Sequence, residues 1–193
     1  ELLVTGHFAP VPGRELIRAC LDRLEQAVEF VYRSTLQGMN AGRDVWTLMR
    51  EVQLPPELQV GQGYGKVSWA VRTIWESCMG WFRAEATSEL YPTQSREVWA
   101  DLVGLAGAAA VLERGWSRLN QGDPEGAMLL AEAALAHDRD SAAALRLAAA
   151  TNRALLERSG DDNVWEEGWL RTQVSVLDHR LSDFGHGDRM EGV

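Results

Sequence analysis

The chain has 193 residues, of which 46% are hydrophobic and 24% are charged, and its formal net charge is −9. This composition excludes a disordered chain and predicts one or two domains with a core of their own. The acidic balance, with no cluster of Lys and Arg, argues against a nucleic-acid partner. No apolar run reaches the roughly 18 residues of a membrane-spanning helix, so we expect no membrane span.

The first residues predict a single strand. Residues 2–7 (LLVTGH) form an apolar run that ends in His7, and the prolines and glycine of residues 10–13 predict a turn. A lone strand cannot satisfy its backbone hydrogen bonds, and the first residue is Glu1 rather than Met. We therefore expect residues 1–13 to complete the sheet of an upstream domain in a longer protein. Localisation in the cytoplasm or periplasm stays open, because an upstream segment would carry any signal peptide.

Residues 14–94 are predicted to be mainly helical. Apolar residues recur with a period of about 3.6 from Leu16 to Val31, and Asp44 is a typical N-cap residue before a second, short helix. A glycine-rich loop that contains Tyr64 precedes a third helix, which is rich in tryptophan. The predicted helices span residues 14–37, 44–52 and 66–80, and the first is expected to stop near Gly38 or Gly42. Both cysteines of the chain fall within these patterns, and we expect them as small buried side chains.

The remainder of the chain is rich in alanine and is also predicted to be helical. Gly122 and the acidic run 138–141 mark turns, and Asp123 is expected to cap a helix whose first residue is Pro124. Ala127 and the alanines that follow it share one helical face and permit close helix packing. The predicted helices span residues 95–104, 107–121, 124–137, 141–159 and 163–181. Helix pairs joined by short turns are typical of tetratricopeptide-like (TPR-like) hairpins, of which about one and a half units fit here.

Several short stretches, taken in order, resemble the metallo-β-lactamase-fold alkyl sulfatases, and their dimerisation domain in particular. The resemblance covers nearly the whole chain. Gly6-His7 with the turn that follows is similar to the end of the family's hydrolase domain. The other matching stretches are Leu54-Pro55-Pro56, Tyr64 to Ser68, Gly80-Trp81-Phe82, Ala106 to Leu112 and the hairpin from Gly122 to Ala150.

The chain departs from the family pattern at two places. Trp69-Ala70 stands where the family has a His-Asn pair, and the run from Arg83 to Ala86 stands where it has Asp-Gly-Asn-Pro. By family analogy both places face the active site. The resemblance therefore supports the fold more strongly than it supports specificity for sulfate esters.

The resemblance implies a hydrolytic centre with two zinc ions, held mainly by an HxHxDH motif. This chain contains no such motif, and its histidines show no metal-ligand spacing. We expect no catalytic residue and no cofactor in this chain alone, and binuclear zinc in the full-length protein. There His7 matches the family's final zinc-ligand histidine; a structural histidine at a strand end is the alternative. His137, His179 and His186 are expected to be solvated or to cap helices.

Tyr64, Trp69 and Trp75 are the candidate substrate contacts. In a full-length enzyme this aromatic segment would supply an apolar wall for an alkyl chain, and the Tyr64 hydroxyl would bond an ester oxygen. The alternative for the two tryptophans is packing in the core or in an interface, because large aromatic side chains in an alanine-rich helical chain fill volume.

The predicted fold is an all-α helical bundle with TPR-like hairpins, preceded by one short strand that belongs to an α/β metallo-β-lactamase domain. Four segments are expected: the terminal strand and turn (1–13), a helical linker with the tryptophan-rich helix (14–94), the dimerisation helices (95–182) and a flexible tail (183–193).

The favoured function is dimerisation and coverage of the active site in a zinc hydrolase that acts on a small-molecule sulfate or related ester. The alternative is a TPR-like module that binds a peptide without catalysis. The inner helices are dominated by alanine and leucine, which favours packing over peptide binding. A homodimer is expected, because the stripe from Leu16 to Val31 and the tryptophan-rich helix present more apolar surface than one small bundle needs.

Overall fold

The computed structural model describes residues 1–160 and 162–187. The chain divides into two compact units, residues 1–83 and the residues from Ala84 onward. The protein is 72% helical, with eight α-helices and one two-stranded sheet in the described ranges. The prediction of an all-α bundle with a short terminal strand is therefore confirmed.

The first unit opens with a small antiparallel ribbon. β1 (Leu2–Leu3) pairs with β2 (Val11–Pro12), in the register that places Leu2 opposite Pro12. The strand is shorter than the predicted run 2–7, and its partner is the segment predicted as a turn. The reversal begins at Thr5, whose hydroxyl accepts a hydrogen bond from the Phe8 N–H at 3.2 Å and donates to the Phe8 carbonyl at 3.0 Å. The backbone groups of this strand thus find partners within the chain itself.

Three helices follow the ribbon. They are α1 (Arg14–Asn40), α2 (Val45–Glu51) and α3 (Val67–Met79). The first continues beyond its predicted end at residue 37, because Gly38 does not terminate it but lies in contact with α2. A Cβ added to Gly38 would lie 2.3 Å from Cδ2 of Leu48, so only glycine permits this approach. The reversal after α1 uses Gly42, whose φ of +71° suits glycine.

The core of the first unit lies where the C-terminal half of α1 packs on α2 and α3. Asp44 caps α2 as predicted, and its carboxylate accepts a hydrogen bond from the Thr47 N–H at 2.9 Å. Apolar side chains from all three helices and the connecting segment make up the cluster: Ala27, Val31, Val45, Leu48, Leu54, Val71 and Trp75. The N-terminal half of α1 contributes nothing to it.

In its described residues the second unit contains five α-helices, each packed against the next along the chain. They are α4 (Trp99–Ala106), α5 (Ala108–Asn120), α6 (Pro124–His137), α7 (Ala142–Ser159) and α8 (Val164–Gly187). The predicted helix at 95–104 begins instead with a 3-10 turn (Ser95–Val98). The last helix passes its predicted end at residue 181, so residues 183–187, predicted as tail, are helical. The rest of the predicted tail, 188–193, lies outside the described residues, as does Asp161.

Small side chains determine how the second unit packs. Alanines on one face of α6 and of α7 are buried, which allows these helices to approach closely, and larger leucines fill the space between them. The buried set is Ala127, Ala131, Ala134, Ala144, Leu145, Leu147, Ala148, Ala149, Leu170 and Leu177. These alanines and leucines are therefore core, and they do not line a peptide groove.

The N-cap of α6 is held by two hydrogen bonds. The Asp123 carboxylate accepts one from the Gly126 N–H at 2.9 Å and another from the Arg118 guanidinium at 2.5 Å. The backbone hydrogen bond, and after it the one from Arg118, lower the pKa of Asp123 below its ordinary value. The predicted cap is confirmed, and Pro124 occupies the first helical position.

Both cysteines are exposed, so the expectation that they are buried is wrong. Cys20 lies on the N-terminal half of α1, beyond the core of its unit, and Cys78 lies in the last turn of α3. Among the helices of the described ranges, none is both long enough and apolar enough to cross a membrane.

Candidate functional site

His7 and Tyr64 are brought together in the first unit, although 57 positions separate them in the chain. Their ring centroids lie 4.3 Å apart with an interplanar angle of 30°, and Phe8 meets the same tyrosine edge-on at 5.6 Å. The Thr5–Phe8 turn presents both ribbon side chains to the glycine-rich loop. His7 is exposed, and Tyr64 is 39% exposed. The pair forms an accessible aromatic surface next to α3.

This arrangement does not by itself hold a metal. Zinc in proteins takes three or four nitrogen, sulfur or oxygen ligands, whereas His7 stands as one imidazole against an aromatic ring. Within residues 1–160 and 162–187 no group of three or more His, Cys, Asp and Glu side chains could hold a metal ion. The residues present therefore do not fit a two-zinc centre without ligands from elsewhere.

The two candidate tryptophans differ in their surroundings. Trp75 is 8% exposed and belongs to the core cluster, which matches the packing alternative. Its indole Nε1 is buried, with no hydrogen-bond partner within the described structure. Trp69 is 38% exposed near the start of α3, with the Lys66 ammonium 6.0 Å from its ring centroid. Trp69, not Trp75, is thus accessible to a ligand.

The other histidines lie apart from this surface. His137 donates from Nδ1 to the carbonyl of Ala100 at 3.1 Å and so joins α6 to α4. His179 is exposed on α8. The side chain of His186 lies outside the described residues.

An apolar groove between α1 and α3 was not predicted. It has a volume of about 260 Å³ and is bordered by the segment from Leu54 to Val67. Lys66 and Gln62 supply the polar part of its lining. Lys66 is the only lysine in the chain, and the sequence shows this without the structure.

A second feature that sequence reasoning missed is a tryptophan that lies close to two arginines. The Arg72 and Arg83 guanidiniums lie 5.5 Å and 5.8 Å from the Trp46 ring centroid. Arg83 is one of the residues at which the chain departs from the alkyl sulfatase pattern. Its placement on Trp46 gives this departure a structural role, because a guanidinium over an indole is a favourable cation–π arrangement.

The predicted apolar stripe of α1 is only half covered. Ala27 and Val31 are buried, whereas Leu16 and Leu24 are 51% and 48% exposed. These four positions lie on the same side of the helix, so one continuous apolar face is packed in its C-terminal half and open in its N-terminal half. Together with Cys20, Leu21 and Val28, the two exposed leucines form what we call the open α1 face.

Comparison with known proteins identifies the family of the chain. A family model described as alkyl sulfatase dimerisation matches residues 46–172, which is well over half of the chain. The chain belongs to the alkyl sulfatase dimerisation family. The match begins in α2 and extends into α8, so it covers parts of both units and does not reach the ribbon or α1.

Two curated relatives of this family member carry sulfatase names. A linear primary-alkylsulfatase of a Pseudomonas species is 28% identical over 182 residues, which cover 91% of this chain and 34% of the relative. An alkyl/aryl-sulfatase of Saccharomyces cerevisiae is 26% identical over 129 residues, which cover 64% and 20%. The chain thus spans about a third of the length of the first relative and a fifth of the second.

Solved structures of the sec-alkyl sulfatase PisA1 share the fold. A double mutant superposes with a TM-score of 0.82 at 24% identity, covering 93% of this chain and 29% of the other. The enzyme from Pseudomonas sp., described as stereoselective and inverting, gives 0.79 at 23% identity, covering 91% and 28%. At these identities the similarity shows a common fold over more than nine tenths of this chain.

Proposed function

We propose that this chain is the dimerisation and active-site-covering segment of a zinc-dependent hydrolase of metallo-β-lactamase fold that acts on sulfate or related esters. The match to the dimerisation family over residues 46–172 carries the proposal. The sulfatase names of the two curated relatives support the ester class. Because the chain spans at most 34% of those relatives, the catalytic step belongs to the longer protein.

The proposed role in dimerisation places a second copy of the chain on the open α1 face. Leu16, Leu24 and Val28 expose roughly half of their surface or more. Burying a leucine or valine side chain is worth about 1.5–3 kcal/mol, and a two-fold axis uses each contact twice. A homodimer through this face would therefore gain several such contributions at once.

Sedimentation equilibrium of two matched variants tests this role. Leu24→Glu places a carboxylate in the centre of the open face, while Gln26→Glu adds the same charge on the opposite side of α1. We expect Leu24→Glu to raise the dimer dissociation constant at least about 30-fold, as for a hot-spot residue, and Gln26→Glu to change it little. Equal dissociation constants for the two variants would show that the open α1 face is not the interface.

The proposed role at the active site rests on His7 and Tyr64. In the longer protein His7 would supply one zinc ligand, and the two zinc ions would activate water and polarise the ester. Tyr64, whose ring centroid lies 4.3 Å from that of the imidazole, would donate a hydrogen bond from its hydroxyl to an ester oxygen. Trp69 would form part of an apolar wall, whereas the buried position of Trp75 assigns it to the core.

Zinc content and turnover of the full-length protein test this second role. His7→Ala should lower both together, because it removes a ligand, while the control His179→Ala should change neither. Tyr64→Phe should lower sulfate release and leave the zinc content intact. Normal zinc occupancy and normal turnover in His7→Ala would make His7 a structural residue, and the dimerisation role would stand unchanged.

A further inference from the structure

α8 carries an exposed apolar stripe in the second unit. Trp165 and Trp169 are 65% and 66% exposed, and Val176 is 48% exposed. Thr172, which is also exposed, lies between Trp169 and Val176. Because their spacing is i, i+4, i+7 and i+11, all four residues lie on one side of the helix. We call these four residues the α8 stripe.

The α8 stripe is apolar in effect, because its one polar group already has a partner. The Thr172 hydroxyl donates a hydrogen bond to the Gly168 carbonyl at 2.8 Å, within the helix itself. On the other side of α8, Leu170 and Leu177 are only 6% and 7% exposed. α8 is therefore apolar on two sides, and only one of them is covered by its own unit. A helix of this kind is expected to be buried on both sides.

The dimerisation family includes most of this stripe. The family match ends at residue 172, so it contains Trp165, Trp169 and Thr172. The open α1 face lies before residue 46 and thus outside the match. A dimer contact within the matched residues has to come from another surface. The α8 stripe offers two exposed tryptophans there, and tryptophan is among the residues most enriched in the energetic centres of interfaces.

The apolar area of the open α1 face is small for an interface. A standard interface covers about 800 Å² on each partner, of which roughly 450 Å² is apolar. Fully burying a leucine or valine removes roughly 60–120 Å² from water, so the three leucines and one valine of the open α1 face, each about half exposed, offer roughly 120–240 Å². Trp165 and Trp169, each about two-thirds exposed, offer roughly 200–330 Å² more. A stable dimer therefore needs contact surface beyond the open α1 face.

We propose that a second copy of this chain covers the α8 stripe, with Trp165 and Trp169 as the anchoring side chains. The identity of the partner rests on the proposed function, which makes the chain a dimerisation segment. The surface itself rests on the two exposed tryptophans and on their place within the family match.

A rival stripe lies on α4. Leu102 and Leu105 are 57% and 86% exposed, and they also fall within the family match. Leucine is under-represented among the residues that dominate binding energy, whereas tryptophan is enriched. α4 has eight residues and α8 has 24, so α4 offers a shorter surface to a partner. These differences favour α8.

Sedimentation equilibrium of the 193-residue chain and three variants tests the stripe. Trp169→Glu places a carboxylate in the middle of the stripe and should raise the dimer dissociation constant at least about 30-fold. Ser175→Glu, the matched control, adds the same charge at an exposed position of α8 about 90° around the helix axis, and should change it little. Leu102→Glu on the rival stripe should also change it little. Because Trp169 is exposed, its variant should keep the helical circular dichroism of the wild-type chain.

A second measurement requires no substitution. Hydroxyl-radical oxidation of Trp165 and Trp169 is quantified by peptide mass spectrometry, with the radical dose normalised to an added dosimeter. Oxidation of both tryptophans should fall as rising protein concentration moves the wild-type chain from monomer to dimer. The fall should follow the dimer fraction that sedimentation gives at each concentration.

Three results would overturn the proposal and leave the dimerisation role intact. The first is a wild-type dimer whose dissociation constant is the same in Trp169→Glu and Ser175→Glu. The second is an effect confined to Leu102→Glu, because the second copy then lies on α4. The third is constant oxidation of both tryptophans while the chain passes from monomer to dimer. A single-chain mass at every concentration would instead remove the dimerisation role itself, and this proposal with it.

Discussion

Gly115 on α5 should resist substitution by alanine, although alanine is the better helix former. A Cβ added at this position would lie 2.4 Å from Cδ2 of Leu147 on α7, whereas packed carbon atoms sit about 3.5–4.0 Å apart. Leu147 is fully buried, so it has no free space to move into. Overpacking costs about 1–3 kcal/mol, against about 1 kcal/mol gained in helix propensity. Gly115→Ala should therefore lower the free energy of unfolding by up to about 2 kcal/mol.

Urea unfolding followed by circular dichroism, at one fixed protein concentration, gives the comparison. Gly168→Ala on α8 is the matched control, because nothing lies within 4 Å of its added Cβ, and it should stabilise by about 0.5–1 kcal/mol. Leu147→Ala alone should cost about 2–5 kcal/mol. In that background the clash is gone, so Gly115→Ala should become stabilising. If it stabilises the wild-type chain as much as Gly168→Ala does, the close contact between α5 and α7 is refuted.

Three further outcomes are expected. Gly38→Ala should destabilise the first unit, because the added Cβ would clash with Leu48 as the Cβ of Gly115→Ala clashes with Leu147. A rise in the unfolding midpoint of the first unit would contradict the packing of α1 on α2. Alkylation of Cys20 by iodoacetamide, quantified by peptide mass spectrometry, should slow as protein concentration rises, because the open α1 face becomes covered in a dimer. Cys78 should react at one rate throughout, and parallel rates for both cysteines would count against that interface. Asp123→Asn should flatten the dependence of melting temperature on pH below about 4, where the wild-type carboxyl becomes protonated. Because the pKa of Asp123 is lower in the folded state, its contribution is present above the unfolded-state pKa and disappears as pH falls through the folded-state pKa. If the melting temperatures of the wild-type chain and of Asp123→Asn fall in parallel as the pH is lowered, the Asp123 carboxylate does not cause this pH dependence.

Helix positions were predictable where local rules decide them. The period of apolar residues placed α1, and the cap residue Asp123 with Pro124 placed the start of α6 at the observed residue. Both signals depend on residues that are close in sequence, so they can be recognised without knowledge of the tertiary structure. The sequence does not distinguish Gly38, which contacts Leu48 within α1, from Gly42, which serves the reversal after the helix.

Burial was predictable only where a periodic face has a partner in the same unit. Val31 and Leu24 lie on one side of α1 and look equivalent in sequence, yet only Val31 is covered. The exposure of Cys20 has the same origin. The terminal ribbon was missed because a pairing between two-residue strands carries no periodic signal.

The candidate site depended on contacts between distant residues. The contact between His7 and Tyr64 joins the terminal ribbon to the glycine-rich loop, and no spacing rule predicts such a pair. The groove beside Lys66 was likewise invisible, because its lining comes from α1, α3 and the segment between Leu54 and Val67. Lys66 stands out in the sequence as the only lysine, but only the fold shows that it lies beside a groove lined by apolar side chains.

The mass of the chain in solution tests the central claim most directly. Light scattering across a concentration series should give twice the chain mass of 21.4 kDa at high micromolar concentration, because the open α1 face is then covered by a second copy. The mass should fall toward that of a single chain on dilution and in Leu24→Glu. A mass of 21.4 kDa at every concentration would contradict the assignment of this chain as a dimerisation segment.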